Sequence, residues 1–431
     1  MKVLLLLIIS FLLSKEIMAQ TPGSGNTIDF DGADDVVEIV DNQSFASANS
    51  EFTIECWIKT TEGSGSNNAF VTNYGGTGQN PFFMLGIDNV NAFFWCRNDP
   101  QTISRKPTTP KANVVDGNWH HLAGVRSTTS TDLYLDGILV GSQGAITSDV
   151  RFGTIVSVMD HYNRYTIGQI DEIRIWTEAR SQTEIRDNMC KRLNGSELNL
   201  HSYYTLDGTT NVVSGVIDDS GNGFNGTMMN MTAGDIVTSA APIGDESIHS
   251  YAVTTSTSLN IASSDGDDLT ASVTSITSTP GSMHVYRVDE KPNVITPPGT
   301  QAQLSQNTYY GVKVFGGSGV VYTVNYNYNG HPGIIDENNL ELAKRDNNAD
   351  ATWSQEIATL NTTANTLILA GQTGTEYILA TLGTDPLPIE LLNFYAEINY
   401  NNYVQLTWQT VTEINNEYFT IERSENGLNW E

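Results

Sequence analysis

The stretch that most constrains the fold covers residues 116–142 and reads DGNWHHLAGVRSTTSTDLYLDGILVGS. Leu133 and Leu135 alternate with Asp and Tyr, which is the period-two pattern of a strand with one face on a core. Asp136 and Gly137 follow, and this dipeptide takes the positive φ angles that a two-residue hairpin turn requires. The apolar alternation resumes on the return. The sequence therefore predicts an antiparallel hairpin in a β-sandwich.

Strand-like runs recur through the rest of the chain, among them FTIECWIKT, PFFMLGI, AFFWCRN and VVYTVNYNYNG. The 431 residues include 37 Gly and are 39% hydrophobic, a composition typical of an all-β protein with many turns. In the last run Tyr322, Val324 and Tyr326 share one face, which favours a sandwich core over a sugar-binding platform. At about 100–200 residues per domain, the length accommodates two or three domains. We predict an all-β, multidomain fold of β-sandwiches.

One helix is expected after the strand GQIDEIRIW. Ser181 is placed to cap it, and Glu184 three residues later completes a capping box. Ile185, Met189 and Leu193 follow at helical spacing. This pattern predicts a short amphipathic helix against the first sandwich.

Four segments are predicted along the chain. Residues 1–19 form a secretory signal peptide, because Lys2 precedes a short apolar run and a small-residue cleavage site ends at Ala19. Residues 20–245 form the first sandwich and end at the spacer SAAPIGDES, and residues 246–385 form a second sandwich. Residues 386–431 begin within the proline-containing linker DPLPIE, and they are too few for a seven-stranded sandwich of about 90–100 residues.

Acidic residues outnumber basic ones by 49 to 21, which gives a formal net charge of −28. Such a surface repels phosphate backbones and anionic lipid, so nucleic acid and bare membrane are poor partners, and we expect no nucleic-acid binding. It could instead collect Ca²⁺, whose preferred ligands are carboxylate oxygens. The alternative is that the carboxylates are solvated and keep the protein soluble. No segment after the leader reaches the length of a transmembrane helix, so we expect no membrane insertion.

Three cysteines, Cys56, Cys96 and Cys190, allow at most one disulfide bond. Cys56 and Cys96 lie in strand-like runs, and neighbouring strands could bring them together. We therefore favour a bond between these two, with three free buried thiols as the alternative.

The motifs FDGADDVVEI, FTIECWIKT, NWHHLAGVR, LYLDGILV, GQIDEIRIWTEARSQTEI and DDSGNGFNGT occur in this order. Together they resemble the laminin-G-like and pentraxin-like jellyroll domains, relatives of the concanavalin-type lectin fold. The resemblance covers about residues 26–245. It implies two packed antiparallel sheets, frequently a Ca²⁺ site, and binding of glycans or proteins at the rim of the sheets.

The C-terminal stretch LPIELLNFYAEINYNNYVQLTWQTVTEINNEYFTIERSENGLNWE resembles the fibronectin-type-III-like segment that often precedes the sorting domain of bacterial type IX secretion cargo. The middle unit resembles β-sandwiches of the same proteins. This likeness implies export through the outer membrane to the cell surface or the medium.

A catalytic role is not supported by the carboxylate pattern. The laminarinase-like hydrolases of the same fold carry Glu-x-Asp-x-x-Glu on one strand face, whereas Gln169 stands here at the first position. Asp171 and Glu172 are strand neighbours, which strict alternation places on opposite faces. The same alternation separates His120 from His121, and no HExxH or G-x-S-x-G motif is present. We predict that the protein is not an enzyme.

Calcium is the predicted cofactor, since six to eight oxygens from more than one loop could supply its site. The candidate ligands are Asp31 and Asp34, with Asp35, in FDGADD; Asp218 and Asp219, with Asn222, in DDSGNG; and Asp171. Asx turns are the alternative for the two loops, because Asp and Asn before Gly bond their own backbone. For Asp171 the alternative is a structural acid on the core side of its strand, beside Ile173 and Ile175.

These observations predict a secreted or cell-surface binding or adhesion protein. Its jellyroll domain would recognise glycans or extracellular proteins, in a manner that could depend on Ca²⁺. The alternative function is a non-catalytic targeting module of a larger secreted polysaccharide hydrolase.

Overall fold

The structure, a computed structural model, describes most of the chain between residues 23 and 410. The described residues are 23–62, 67–73, 82–98, 102–160, 162–208, 212, 215–263, 266–331, 334, 336–382, 391–398 and 404–410. The predicted signal peptide and the last predicted strand, EYFTIERSENGLNW, lie outside these residues.

Sixteen strands in residues 26–238 form two antiparallel sheets that pack face to face. They are β1 (Asn26–Asp31), β2 (Val36–Val40), β3 (Phe52–Lys59), β4 (Asn68–Thr72), β5 (Phe82–Ile87), β6 (Asn91–Arg97), β7 (Ser104–Arg105), β8 (Thr108–Pro110), β9 (Trp119–Arg126), β10 (Ser130–Leu135), β11 (Ile138–Gly144), β12 (Ile155–Val158), β13 (Ile167–Trp176), β14 (Leu200–Tyr204), β15 (Gly226–Met229) and β16 (Ile236–Thr238). Sheet 1 has the order β11-β10-β9-β3-β13-β1-β16, and β14 also pairs with β13. Sheet 2 has the order β15-β2-β12-β4-β5-β6-β7, and β8 also pairs with β6.

The core of this first sandwich lies between sheets 1 and 2. As the alternation predicts, Phe52, Ile54, Cys56 and Ile58 of β3 all point into it. The β10–β11 hairpin is also confirmed: Asp136 and Gly137 have φ angles of 49° and 74°. The fold class is therefore all-β, and its first unit is a jellyroll-like sandwich.

Helix α1 (Gln182–Asn188) begins at the predicted capping box. Ser181 Oγ accepts the Glu184 N–H, and the Glu184 carboxylate accepts the Ser181 N–H. The helix ends earlier than the apolar spacing suggested, so Leu193 lies beyond it. Ile185 packs with Tyr134 on the outer face of sheet 1.

A β-bulge interrupts β13. Asp171 pairs with Trp57 and Arg174 pairs with Glu55, so β13 holds one residue more than β3 over this interval. Glu172 has a φ of 51°, the left-handed conformation that a bulge can require. The predicted placement of Asp171 and Glu172 on opposite faces is therefore wrong, as is the core-side placement of Asp171. The extra residue brings Asp171 to the outer side of sheet 1, where Glu172 also lies.

A second sandwich follows between residues 246 and 381. Its strands are β17 (Glu246–Ser250), β18 (Ser258–Ala262), β19 (Asp268–Ser275), β20 (Ser282–Val288), β21 (Gln303–Leu304), β22 (Tyr309–Phe315), β23 (Val321–Asn327), β24 (Leu340–Arg345), β25 (Ser354–Glu356), β26 (Thr359–Asn361), β27 (Thr366–Gln372) and β28 (Glu376–Thr381). Sheet 3 has the order β17-β20-β22-β28-β24-β25, with β21 on β28, and sheet 4 has the order β18-β19-β23-β27-β26. Tyr322, Val324 and Tyr326 lie in the core between them, as predicted. Two further strands, β29 (Leu391–Ile398) and β30 (Val404–Thr410), pair with each other.

The second sandwich packs on the outer face of sheet 1. The Trp57 ring lies 5.8 Å from the Phe315 ring, in a buried cluster that also contains Trp119 and Cys190. The Tyr251 hydroxyl donates to the Asp136 carbonyl at 3.0 Å. This face of sheet 1 is therefore an internal surface of the protein.

The predicted disulfide bond between Cys56 and Cys96 is not formed, and the two residues do not lie on neighbouring strands as the prediction assumed. Cys56 is in β3 of sheet 1, whereas Cys96 is in β6 of sheet 2. Both are free and buried, as is Cys190. Burial raises the pKa of the Cys96 thiol to about 12 and raises the other two further.

No helix within the described part of the chain is long and apolar enough to cross a bilayer.

Candidate functional site

An aromatic cluster lies on the outer face of sheet 2. Strands β5 and β6 carry apolar residues at odd and at even positions, so one set of apolar side chains fills the core and a second set faces outward. The outward set consists of Ala69, Phe82, Met84, Phe93 and Trp95. Most of these side chains are buried, but Trp95 is only partly so.

Trp95 is held by contacts along its edges. Its ring meets the Phe82 ring edge-on, with centroids 4.6 Å apart, and lies 6.2 Å from the Phe93 ring. Its Nε1 donates to Ser104 Oγ at 2.8 Å. The indole is thus fixed in orientation while part of its surface remains accessible.

Two cations flank this cluster. The Arg97 guanidinium lies 4.2 Å from the Phe82 centroid and 5.4 Å from that of Trp95. Lys106 Nζ lies 3.8 Å from the Phe93 centroid and 4.8 Å from that of Trp95. All four distances are within the range of cation–π attraction.

Asp88 adds a carboxylate beside this cluster, 2.8 Å from Lys106 Nζ. Burial raises the pKa of Asp88, but hydrogen bonds from Lys106 and from backbone amides outweigh it and leave the pKa below its ordinary value. The group named here the platform therefore consists of Phe82, Phe93, Trp95, Arg97, Lys106 and Asp88. It places the partly exposed Trp95 ring beside charged groups of both signs.

The sequence reasoning missed the platform. The signal was present, since FFMLGI and AFFWCR are apolar at consecutive positions rather than at alternate ones. Such runs predict a strand with apolar groups on both faces. The Lys106 contact could not be predicted, because it depends on how the loop before β8 folds over β6.

Among the predicted calcium ligands, Asp31 and Asp34 lie together, and Asp35 joins them. One carboxylate oxygen from each lies within 4.8 Å of the others. Asp31 Oδ1 accepts the Ala33 N–H, and Asp35 Oδ2 accepts the Asp31 N–H. Burial raises the pKa of Asp35, and the charges of Asp31, Asp235 and Asp34 raise it further. Three crowded carboxylates fit the oxygen ligands that Ca²⁺ takes, and they would supply about half of the six to eight it needs.

Asp218 and Asp219 do not join that group. Asp218 accepts hydrogen bonds from the backbone N–H groups of Tyr203, Ser220 and Phe224. Asp219 accepts from the Thr205 N–H and hydroxyl. In the structure these two carboxylates order the loop against β14.

Asp171 is also separate from the acidic loop. It is buried, and its carboxylate accepts hydrogen bonds from Ser239 Oγ at 2.5 Å and from the Glu172 N–H at 2.7 Å. Burial raises the pKa of Asp171 well above its ordinary value, and Glu172 and Asp207 add to the shift. Asp171 therefore joins the spacer after β16 to sheet 1.

Glu172 belongs to a buried charge network. Its carboxylate accepts from Arg174 Nη2 and from the Tyr203 hydroxyl, each at 2.6 Å. Arg174 also donates to the carbonyl of Asn188, the last residue of α1, and to that of Lys191 beyond the helix. Both charged residues are at most 3% exposed. The bulged pair of carboxylates is thus enclosed by protein rather than open to a substrate.

The two histidines have different surroundings. His120 contacts Asp136 at 2.9 Å and Asp116 at 3.2 Å; burial lowers its pKa, but these two carboxylates outweigh the burial and raise it. His121 is buried next to Trp57, and burial lowers its pKa to about 3. The pair diverges, as strand alternation predicts.

Residues 31–186 match a laminin G family model described as the concanavalin A-like lectin/glucanases superfamily. The match lies within the first sandwich, whose two packed antiparallel sheets are consistent with that description. No curated protein shows a significant match to the chain.

Several solved structures resemble part of the chain. A Bacteroides ovatus protein, provisionally described as carbohydrate binding, is 20% identical over 52% of this chain and 62% of its own length, with a TM-score of 0.39. A heptameric SAP-like pentraxin from Limulus polyphemus is 13% identical over 38% of this chain and 81% of its own, with a TM-score of 0.29. The CBM40 of a Ruminococcus gnavus IT-sialidase, bound to α2,3 sialyllactose, is 16% identical over 38% of this chain and 97% of its own, with a TM-score of 0.31. The chain thus spans less than two thirds of the length of the first of these proteins.

Proposed function

We propose that this protein is a non-catalytic glycan-binding protein and that the platform on sheet 2 is its binding surface. The observation that carries the proposal is the partly exposed Trp95 ring, fixed by Ser104 and flanked by Arg97 and Lys106. A concanavalin A-like domain provides the scaffold.

The chemistry of a sugar ring suits this arrangement. One face of a pyranose presents C–H groups, which pack on an aromatic ring, while hydroxyls project from its edge. Arg97 and Lys106 are donors for those hydroxyls, and Asp88 is an acceptor. A few placed polar groups around an apolar surface are what orient a ligand in protein binding sites.

A non-catalytic role is supported by the enclosure of the carboxylates. A glycosidase needs two carboxyl groups that flank a scissile bond. Asp171 and Glu172 are both buried, and their oxygens are engaged with Ser239, Arg174 and Tyr203. We therefore assign them to the structure of the domain.

We further propose that the protein acts outside the cell, either secreted or on the outer cell surface. The leader in residues 1–19 and the resemblance to type IX secretion cargo support this location. Ca²⁺, where it binds, would be held by Asp31, Asp34 and Asp35 and would neutralise their mutual repulsion. A rigid acidic loop would then support the rim of the sandwich.

A glycan array tests the proposal. The full chain is labelled and applied to plant, algal and bacterial polysaccharides and animal glycans, in Ca²⁺ and in EGTA. We expect saturable binding to a restricted set of glycans and no release of reducing ends from them. Absence of binding to every glycan in both buffers would overturn the proposal, and release of reducing ends would overturn its non-catalytic part.

A further inference from the structure

A cleft of about 150 Å³ lies between the two sandwiches, away from the platform. Sheet 1 contributes Lys59 and Trp119, which are paired neighbours on β3 and β9. The second sandwich contributes Lys313 from β22 and Asp346 just after β24. The cleft therefore exists only when both sandwiches are in place.

Trp119, one of the residues that line this cleft, carries an unused hydrogen-bond donor. Trp119 is only 5% exposed, and its Nε1 has no hydrogen-bond partner. A buried N–H without a partner costs about 1–3 kcal/mol, so such groups usually have a structural or functional reason. A ligand acceptor in the cleft would satisfy it.

Two ammonium groups line the same cleft. Within the part of the chain that the structure describes, Lys59 and Lys313 make no ion pair with a carboxylate, although the chain carries a net charge of −28. Lys313 Nζ lies 5.7 Å from the Phe315 ring. Burial lowers the pKa of Lys313, and Asp136, Cys190 and Asp116 only partly oppose the shift. An anion bound in the cleft would stabilise its charged form.

The remaining lining groups are suited to hydroxyls. Asn118 and Asn347 line the cleft with side-chain amides, and Asp346 carries the one carboxylate among the described lining residues. Asn118 Nδ2 donates to the Asp116 carboxylate, which leaves the Asn118 Oδ1 atom for a ligand. Asn347 Oδ1 accepts the Ala349 N–H, which leaves the Asn347 Nδ2 group for a ligand. The lining is thus rich in donors, with two cations against one anion.

We propose that this cleft binds a small sugar acid, one pyranose ring that bears a carboxylate. The carboxylate would lie against Lys313 and the Trp119 N–H, and the ring hydroxyls against Asn118, Asn347 and Asp346. Pockets for drug-sized ligands measure about 300–1,000 Å³, so this cleft has room for a single ring. The site is independent of the platform, and either could exist without the other.

Calorimetric titration of the full chain with D-glucuronate and D-galacturonate tests the proposal, with D-glucose and acetate as the neutral and the non-sugar ligand. We expect saturable binding of at least one sugar acid, and binding of glucose and acetate at least tenfold weaker. No binding of either sugar acid would overturn the proposal. If glucose bound as tightly as the sugar acid, the proposed role of the carboxylate would be wrong. If acetate bound as tightly as the sugar acid, the proposed role of the hydroxyls would be wrong.

Variants locate the site. Trp119→Phe keeps a ring and removes the N–H, and Lys313→Gln removes the charge; each should weaken sugar-acid binding at least tenfold, whereas Lys344→Gln, on β24, should leave it unchanged. In the unmodified protein, the indole N–H resonance of Trp119 should shift on titration, a readout that does not depend on how the variants fold. Unchanged affinity in both cleft variants, or an unperturbed Trp119 resonance at saturation, would contradict this site.

Discussion

Arg174 Nη2 lies 2.6 Å from the Glu172 carboxylate, and this buried pair fastens the end of helix α1 to sheet 1. Glu172 and Arg174 are two residues apart in β13 and lie on the same side of sheet 1, and the bulge places Asp171 on that side as well. Helix α1 and the second sandwich therefore cover the outer face of sheet 1. The surfaces that remain for ligand binding are the outer face of sheet 2 and the cleft.

Breaking this pair should destabilise the first sandwich strongly. Removal of one partner of a buried ion pair leaves an uncompensated charge and costs about 3–5 kcal/mol. We expect Glu172→Gln to lower the urea midpoint of the first sandwich, followed by tryptophan fluorescence. The exposed pair Arg151 and Asp149 provides the control, because Asp149→Asn should cost less than about 1 kcal/mol. Equal midpoints for the two variants would contradict a structural role for Glu172.

Stability should fall as the pH rises from about 4 to about 7. Burial raises the pKa of Asp207 from 3.8 to about 7, although Arg192 lies 3.0 Å away and opposes the shift. In this window the folded protein keeps the proton on Asp207 and the unfolded chain does not, so the contribution is fully present below pH 3.8 and is lost as the pH passes through 7. Melting temperatures between pH 4 and 8 measure it.

The Asp207→Asn variant isolates that contribution. Its melting temperature should fall less between pH 4 and 8 than that of the unmodified protein, whatever its absolute stability. A pH dependence identical to that of the unmodified protein would show that Asp207 titrates normally.

The three cysteines should be unreactive in the folded protein. Cys56, Cys96 and Cys190 are buried, and burial keeps their thiols protonated. Ellman's reagent should detect no thiol in native buffer and three in guanidinium. Detection of a single thiol after unfolding without a reductant would instead support a disulfide bond.

Features set by neighbouring residues could be predicted from the sequence. The hairpin at Asp136 and Gly137, the capping box of Ser181 and Glu184, and the buried tyrosines of β23 depend on a local pattern. Each combines residue types that permit few conformations, so one sequence is enough to assign them.

Features set by tertiary packing could not be predicted from the sequence. No residue type marks the bulge, because Glu172 takes a left-handed φ that glycine or asparagine would take more readily. The assignment of Cys56 and Cys96 to different sheets depends on strand order, which alternation does not encode. The acidic motifs could be identified from the sequence, but only the three-dimensional arrangement of the strands shows that Asp171 and Asp218 lie apart from Asp31.

Calcium should stabilise the first sandwich through the acidic loop. A ligand that binds only the folded state raises the melting temperature, so millimolar Ca²⁺ should raise it and EGTA should reverse the effect. The double variant Asp31→Asn with Asp34→Asn should abolish the response, whereas Glu38→Gln, an exposed carboxylate on β2, should retain it. A melting temperature that does not respond to Ca²⁺ would contradict a calcium site.

The most direct test of the account is the affinity of Trp95→Ala for the strongest glycan found on the array, measured by calorimetry. Loss of a central aromatic contact costs more than about 1.4 kcal/mol, so we predict at least a tenfold loss of affinity in the folded variant. Tyr162→Ala, which removes a ring that is 42% exposed, should bind like the unmodified protein. Unchanged affinity in Trp95→Ala would contradict the claim that the platform is the glycan-binding surface.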